Sequence, residues 1–223
     1  KEDDPGYLDM VAACVTHDFQ MKNDGEHWTE SSPVEKTAEG LYLFDLDLHA
    51  VDKTGHLVKN DEYKGFLFDG AGVYTSGNEE LDEMIRDLFA RKLDPSLDRE
   101  EMLHTLYMYT VNSFTYLRRN FYQFRDTSWA ADEACLMLST GKGNCYSFAG
   151  TFCMLARAIG YDAKVLSGYI TDYSSPHAWV EIDIDGETFV FDPEIEYSYK
   201  REYKFADMYM MTLDQANQWY YIR

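Results

Sequence analysis

Gly141-Lys142-Gly143-Asn144-Cys145-Tyr146 runs into a stretch in which Phe148, Phe152, Leu155 and Ile159 recur at helical spacing, up to Gly160. Two glycines and an asparagine make a tight turn that enters a helix directly, and Gly160 stops it. Cys145 therefore stands at a helix N-terminus, where free backbone N–H groups and the helix dipole favour an anion. A thiolate is the nucleophilic form of cysteine, and such a position lowers its pKa. Gly143 lets a substrate approach the backbone closely, and Asn144 is a candidate contact beside it. Cys153 falls inside the same helix and Cys135 in the preceding one. Both read as small buried hydrophobes.

C-terminal to this helix comes a strand, Ala163 to Ile170, and a polar loop through Ser175-Pro176. Two alternating runs, His177 to Ile184 and Glu187 to Asp192, then flank Asp185-Gly186, a strong signal for a two-residue hairpin turn. Closing the hairpin on Ile184 and Glu187 puts Val180, Ile182, Phe189 and Phe191 on one buried face. Trp179, a candidate substrate contact, lies opposite Asp192 on the other face, and His177 is the diagonal neighbour of Asp192. A lone histidine is usually structural and Asp-Pro is usually a turn. Together with the helix-terminal thiol, however, they form the set that thiol acyl transfer needs. Cys145 attacks a carbonyl, His177 moves the proton and Asp192 fixes the imidazole. The Cys145 N–H is the first oxyanion donor.

Upstream, Leu81, Ile85, Leu88 and Phe89 mark a helix ending before Asp94-Pro95. Ser96 or Asp98 caps a second, which runs with Met102, Leu103, Leu106 and Val111 to about Tyr116. Ser128 opens a third, stopped at Gly141. Between 40 and 77, Gly40-Leu41-Tyr42-Leu43-Phe44-Asp45 returns loosely as Lys64-Gly65-Phe66-Leu67-Phe68-Asp69, two hairpin-like units. Tyr42, Phe44, Leu46 and Leu48 alternate, and Lys53-Thr54-Gly55 supplies a turn. Residues 1–39 hold one candidate helix, Tyr7 to Phe19, with His17 and His27 as surface groups and Ser31-Ser32-Pro33 as a loop. Near the C-terminus, Thr212-Leu213-Asp214-Gln215 fits a capping box before a short helix reaching Trp219. The expected organisation is an N-terminal segment, 1–39, a β-hairpin segment, 40–78, and a core, 79–223.

Gly143-Asn144-Cys145-Tyr146, Arg157-Ala158-Ile159-Gly160-Tyr161, Gly168-Tyr169, His177-Ala178-Trp179-Val180-Glu181 and Asp192-Pro193 resemble the transglutaminase-like core of bacterial proteins. The resemblance spans residues 100 to 194. It implies a papain-like α+β fold, with helices packed on an antiparallel sheet, and a triad of Cys145, His177 and Asp192. It also implies an aromatic oxyanion donor, Tyr116 or else Trp129. Gly-Asn-Cys-Tyr stands where animal transglutaminases carry Gly-Gln-Cys-Trp, and no calcium loop of the Asp-x-Asp-x-Asp-Gly kind occurs. The aromatic-glycine units of 40–77 resemble the repeats of Gram-positive cell-wall-binding modules, which implies a cell-surface or extracellular setting.

Composition removes other classes. The chain has 223 residues, 45% hydrophobic and 27% charged, enough for a packed core. Forty acidic against twenty basic residues give a net charge of −20, a field that repels nucleic-acid phosphates and anionic lipid. No apolar run reaches the ~20 residues of a membrane span. Four cysteines without a Cys-x-x-Cys form neither a disulfide scaffold nor a zinc site, although a Cys14–Cys135 bridge is conceivable. The chain starts at Lys1 rather than Met, which reads as a mature or trimmed form, and any targeting peptide would lie upstream. The reading is a cysteine-dependent hydrolase or acyltransferase on peptide or glutamine-type amides of a peptide or protein substrate, a cell-wall-associated one among them, with no cofactor or metal required. A non-catalytic adhesion module on the same scaffold is the alternative.

Overall fold

The computed structural model describes residues 22–23, 28–29, 35–38, 40–52, 56–119, 121–170, 175–200, 207–218 and 220–222. The expected helix Tyr7 to Phe19, Cys14, His17, His27, the Ser31-Ser32-Pro33 loop, the Lys53-Thr54-Gly55 turn and Trp219 lie outside them. Short strands come first: β1 (Lys22–Asn23), β2 (Trp28–Thr29), β3 (Glu35–Ala38), β4 (Leu41–Phe44), β5 (Asp47–Ala50), β6 (Asp61–Tyr63), β7 (Phe66–Phe68) and β8 (Tyr74–Thr75). Helices α1 (Glu79–Lys92) and α2 (Arg99–Ser113) follow, then β9 (Thr115–Tyr116), α3 (Ala130–Thr140), β10 (Lys142–Gly143) and α4 (Cys145–Ala158). Last come β11 (Ala163–Ile170), β12 (Ser175–Ile184), β13 (Glu187–Phe191), α5 (Pro193–Lys200), β14 (Met211–Thr212), α6 (Leu213–Ala216) and β15 (Tyr220–Ile222).

The fold is built around α4. Every residue of this helix except Arg157 is buried, the pattern of a helix with neighbours all round. It packs against β11 and β12 and against α2 and α3. The sheet is antiparallel, in the order β14-β13-β12-β11-β15. Helices on such a sheet make an α+β fold. Arg157, near the C-terminal end of α4, lies over the Phe66 ring at 4.5 Å and donates to the carbonyls of Gly65 and Ala163. One cation thus clips both the β6–β7 hairpin and the start of β11 to the helix end.

The hairpin between β12 and β13 closes on Ile184 opposite Glu187, with Val180 opposite Phe191. Asp185 and Gly186 both take positive φ, 52° and 84°, the paired left-handed turn whose twist suits a hairpin. The second face of this hairpin is also covered, contrary to the expectation of a single buried face. Trp179 and Val190 pack with Ile195, Met208, Met211 and Ala216 in a separate buried cluster. The C-terminal residues therefore act as a lid on the far side of the sheet.

The loose repeat of 40–77 corresponds to two three-stranded antiparallel sheets, β3-β4-β5 and β6-β7-β8. In each, a positive-φ glycine (Gly40 at 79°, Gly65 at 80°) leads into the middle strand. Asp45 and Leu46 form the β4–β5 turn at φ 50° and 70°, so Leu46 sits in the turn and not in an alternating strand. Leu41, Leu43, Leu48, Phe66 and Phe68 belong to the same buried cluster as Leu81, Leu106 and Phe152. These side chains of the 40–78 segment thus pack into the main core. The aromatic residues Tyr42, Phe44, Phe66, Phe68 and Tyr74 are all buried, which leaves none of them as a platform for a wall polymer.

α3 and α4 pack closely at Gly150, where a Cβ would lie 2.6 Å from the Ala130 carbonyl oxygen. Gly150→Ala has to push two backbones apart. It is expected to cost about 1–3 kcal/mol, or roughly 2–12 °C in Tm for a chain of this size, in thermal unfolding followed by circular dichroism.

Candidate active site

Cys145 is the first residue of α4, and the turn that holds it is fixed from two directions. Asn144 is the N-cap: its Oδ1 accepts from the Ser147 N–H at 3.4 Å, and its own N–H donates to Ser147 Oγ at 3.2 Å. This is a reciprocal capping box with serine at the third helical position. Ser147 Oγ in turn donates to Glu133 of α3. Glu133 also accepts from the Tyr122 hydroxyl at 2.7 Å and pairs with Arg119 at 3.2 Å. A carboxylate that is 3% exposed thus has both oxygens occupied and joins α3, the first turn of α4 and the segment before α3.

Gly143 and Asn144 were expected to meet substrate, but both are buried in this entry to the helix. A Cβ at Gly143 would lie 2.2 Å from Ser147 Cβ, so the position needs glycine to make room for the cap. Asn144 spends its side chain on the cap itself.

His177 and Asp192 meet as the hairpin register requires. His177 Nε2 lies 2.6 Å from Asp192 Oδ2, and both groups are buried. The other oxygen of Asp192 accepts the N–H groups of Glu194 and Ile195 at 3.1 and 2.9 Å. Asp192 is therefore also the N-cap of α5, with Pro193 at the favoured first helical position. With Nε2 on Asp192, Nδ1 is the other ring nitrogen, and the Cys145 thiol lies close enough to the imidazole to raise its pKa. The structure thus brings Cys145, His177 and Asp192 together.

Residues 86–193 match the family model of the transglutaminase-like superfamily. Among solved structures, the chain is similar to a proposed cysteine protease from Cytophaga hutchinsonii, at 20% identity over 51% of this chain and 37% of that one, TM-score 0.38. It is similar to the periplasmic domain of TgpA from Pseudomonas aeruginosa bound to ethylmercury, at 20% identity over 57% and 48%, TM-score 0.39. A structure described as a TGase is 21% identical over 52% and 30%, TM-score 0.34. The chain covers less than half of each of those three proteins. No curated protein matches it.

Within this core, burial by itself would push the imidazole of His177 down. The Asp192 charge and hydrogen bond, together with the Cys145 sulfur, outweigh it and hold the ring well above the ordinary histidine range. Burial sends Cys153 the other way, up to about 12, and it also raises Cys135. Those two thiols and Cys145 are free, so Cys135 is in no disulfide.

The two oxyanion candidates separate. Tyr116 pairs with Gly143 across β9 and β10, and the Leu117 N–H donates to the Gly143 carbonyl at 2.8 Å. Its phenol is held neutral above its usual pKa by partial burial, with Cys145 and Glu194 as nearby negative groups. It lies in a short strand after α2, since that helix ends at Ser113. Trp129 is buried, and its only N–H donates to the Asp126 carbonyl at 2.5 Å, which removes it as a donor to substrate. It is also the N-cap of α3, where Ser128 was expected to open the helix. Trp179 is 0% exposed and lies in the cluster behind the sheet.

Sequence reasoning missed Glu133, α5 and Glu194. Asp-Pro-Glu, a cap, a favoured first residue and an acid in the first turn, was the available signal for α5. Glu194 is buried with Oε1 accepting from Ser198 Oγ at 2.6 Å and Oε2 3.8 Å from His177 Nδ1. Burial raises its carboxyl above the usual range, Asp192 adds to this, and the His177 charge opposes it. Among the described residues, no group of three or more His, Cys, Asp or Glu could hold a metal ion, and no helix is long and apolar enough to cross a membrane.

Asp192→Asn keeps a capping oxygen but removes the charge facing His177. The His177 pKa is expected to fall, read directly from the ring 15N shifts by NMR. A raised folded-state pKa contributes stability that is fully present below the unfolded value of about 6.5 and is lost as pH rises through the folded value. Urea titrations should therefore find the variant more strongly destabilised near pH 6 than at alkaline pH.

Proposed function

We propose that the protein is a cysteine-dependent acyl-transfer enzyme that cleaves amide bonds of peptides or proteins, with Cys145 as nucleophile, His177 as proton carrier and Asp192 as the group that orients it. The observation that carries this reading is the His177–Asp192 pair beside Cys145 at a helix N-terminus. The match of residues 86–193 to the model of the transglutaminase-like superfamily supports it.

Cys145 Sγ attacks the carbonyl carbon while the C=O pair moves onto oxygen. The Cys145 N–H, which as the first helical residue has no partner within α4, and the Tyr116 hydroxyl are the donors for that oxyanion. As the C–N bond breaks, His177 Nδ1 gives its proton to the leaving nitrogen, which leaves a thioester on Cys145. Water then attacks the thioester with Nδ1 as base, releasing the acid and restoring the thiol. An amine in place of water gives transamidation. Hydrolysis is the favoured outcome because water is always present, whereas transfer needs an acceptor site that shields the thioester.

The test is to incubate the protein with a defined peptide mixture, without added amine, and follow products and intact protein by mass spectrometry. Hydrolysed peptides and an acid-trapped acyl adduct on Cys145 are expected. Cys145→Ala should abolish both, and His177→Ala should slow turnover by at least about 10³-fold. Product only after addition of an amine would make the enzyme a transferase. Neither product nor adduct under either condition would overturn the reading.

A further inference from the structure

The segment between α2 and α3 differs from the rest of the surface in two ways. Among the described residues, the exposed large hydrophobic side chains are Leu67, Tyr116, Leu117, Phe121 and Phe124, so four of five fall within 116–124. The same stretch, 116–125, contains Arg118, Arg119 and Arg125 and no acidic residue, in a chain whose net charge is −20. Arg119 is committed to Glu133. Arg118 and Arg125 are exposed, and so is Lys142 on the strand paired with β9.

This segment is anchored at both halves of the proposed site. At one end Leu117 is bonded to Gly143, two residues before Cys145, and the Phe121 ring lies 6.2 Å from that of Tyr146. At the other, the Arg125 N–H donates to Ser167 Oγ at 3.0 Å and the Phe124 ring lies 6.1 Å from Tyr169. Ser167 and Tyr169 flank Gly168, the partner of His177 in the sheet. Arg125 takes φ 66°, a left-handed conformation that non-glycine residues adopt only at a cost. The backbone bond to Ser167 holds it there, with the guanidinium 5.1 Å from the Phe124 ring.

We infer that residues 116–119 and 121–125 form the substrate-docking rim of the enzyme, selecting an extended peptide that carries an aromatic or aliphatic side chain and a carboxylate close to the reacting amide. The inference rests on the acyl-transfer reading for its substrate, and it adds the class of sequence selected. Tyr116, Leu117, Phe121 and Phe124 offer the apolar contact. Arg118, Arg125 and Lys142 supply positive charge on an otherwise acidic surface, which complements an acidic peptide and repels a basic one.

The experiment measures binding of three fluorescein-labelled peptides to the Cys145→Ala protein by anisotropy: one aromatic and acidic, one aromatic and basic, one acidic with serines in place of the aromatic residues. The first is expected to bind at least about tenfold more tightly than the others, with the advantage over the basic peptide shrinking in high salt. Arg118→Glu/Arg125→Glu should reverse the charge preference, and Phe121→Ser/Phe124→Ser should remove the aromatic one. All four positions are exposed, so unchanged circular dichroism and Tm are expected to show that the variants fold. Equal affinity for the three peptides, or preferences unaffected by both double variants, would overturn the inference. Binding is read without the thiol, so turnover of a peptide mixture by the wild-type protein without any preference sinks this inference alone. A preference without turnover sinks the catalytic reading alone.

Discussion

A single buried carboxylate holds the two halves of the site in register. Asp192 directs one oxygen at the imidazole of His177 and the other at the first N–H groups of α5. A fully buried, unpaired carboxylate would be costly, and three hydrogen bonds satisfy this one. The helix cap prevents the carboxylate from turning away, so the imidazole meets a fixed partner. His177 can then present only Nδ1 to the thiol, which sets the direction of proton movement. The burial that makes the pair expensive also shields it from solvent, and the His177 pKa stays high despite that burial.

The nucleophile is held by the same physics from the opposite side. Cys145 leads α4 as Asp192 leads into α5, and each helix start has its own cap. Asn144 and Ser147 close the first, and Glu133 anchors Ser147 to α3. Because α4 is buried on nearly all sides, a shift of the thiol would require a shift of the core. The site is thus a meeting of two capped helix ends across β12 and β13.

Much of this was legible in the sequence because it is written locally. Asp185-Gly186 sets the turn, the alternating residues set the register, and the register alone places His177 diagonal to Asp192. The turn into α4 and its termination at Gly160 follow from glycine chemistry and the spacing of Phe148, Phe152 and Leu155. What could not be read depends on contacts between distant segments. Trp179 looks like a surface residue until Ile195, Met208 and Met211 fold over it. Gly143 looks like room for a ligand, yet its space is taken by Ser147. Glu133 is one charge among forty acidic residues, and only the packing of α3 on α4 puts it indoors. Leu46 fits an alternating pattern, but the β4–β5 turn takes it at positive φ.

The claim that orders the rest is that Asp192 and His177 make Cys145 an ion-paired nucleophile. It is tested most directly by the rate of Cys145 alkylation by iodoacetamide from about pH 4 to 9, read by peptide mass spectrometry in wild type and His177→Ala. The account predicts rapid labelling far below the ordinary thiol pKa of about 8.5, with the profile moved to higher pH in the variant. Slow labelling indistinguishable from that of Cys135 and Cys153, and unchanged by His177→Ala, would contradict it.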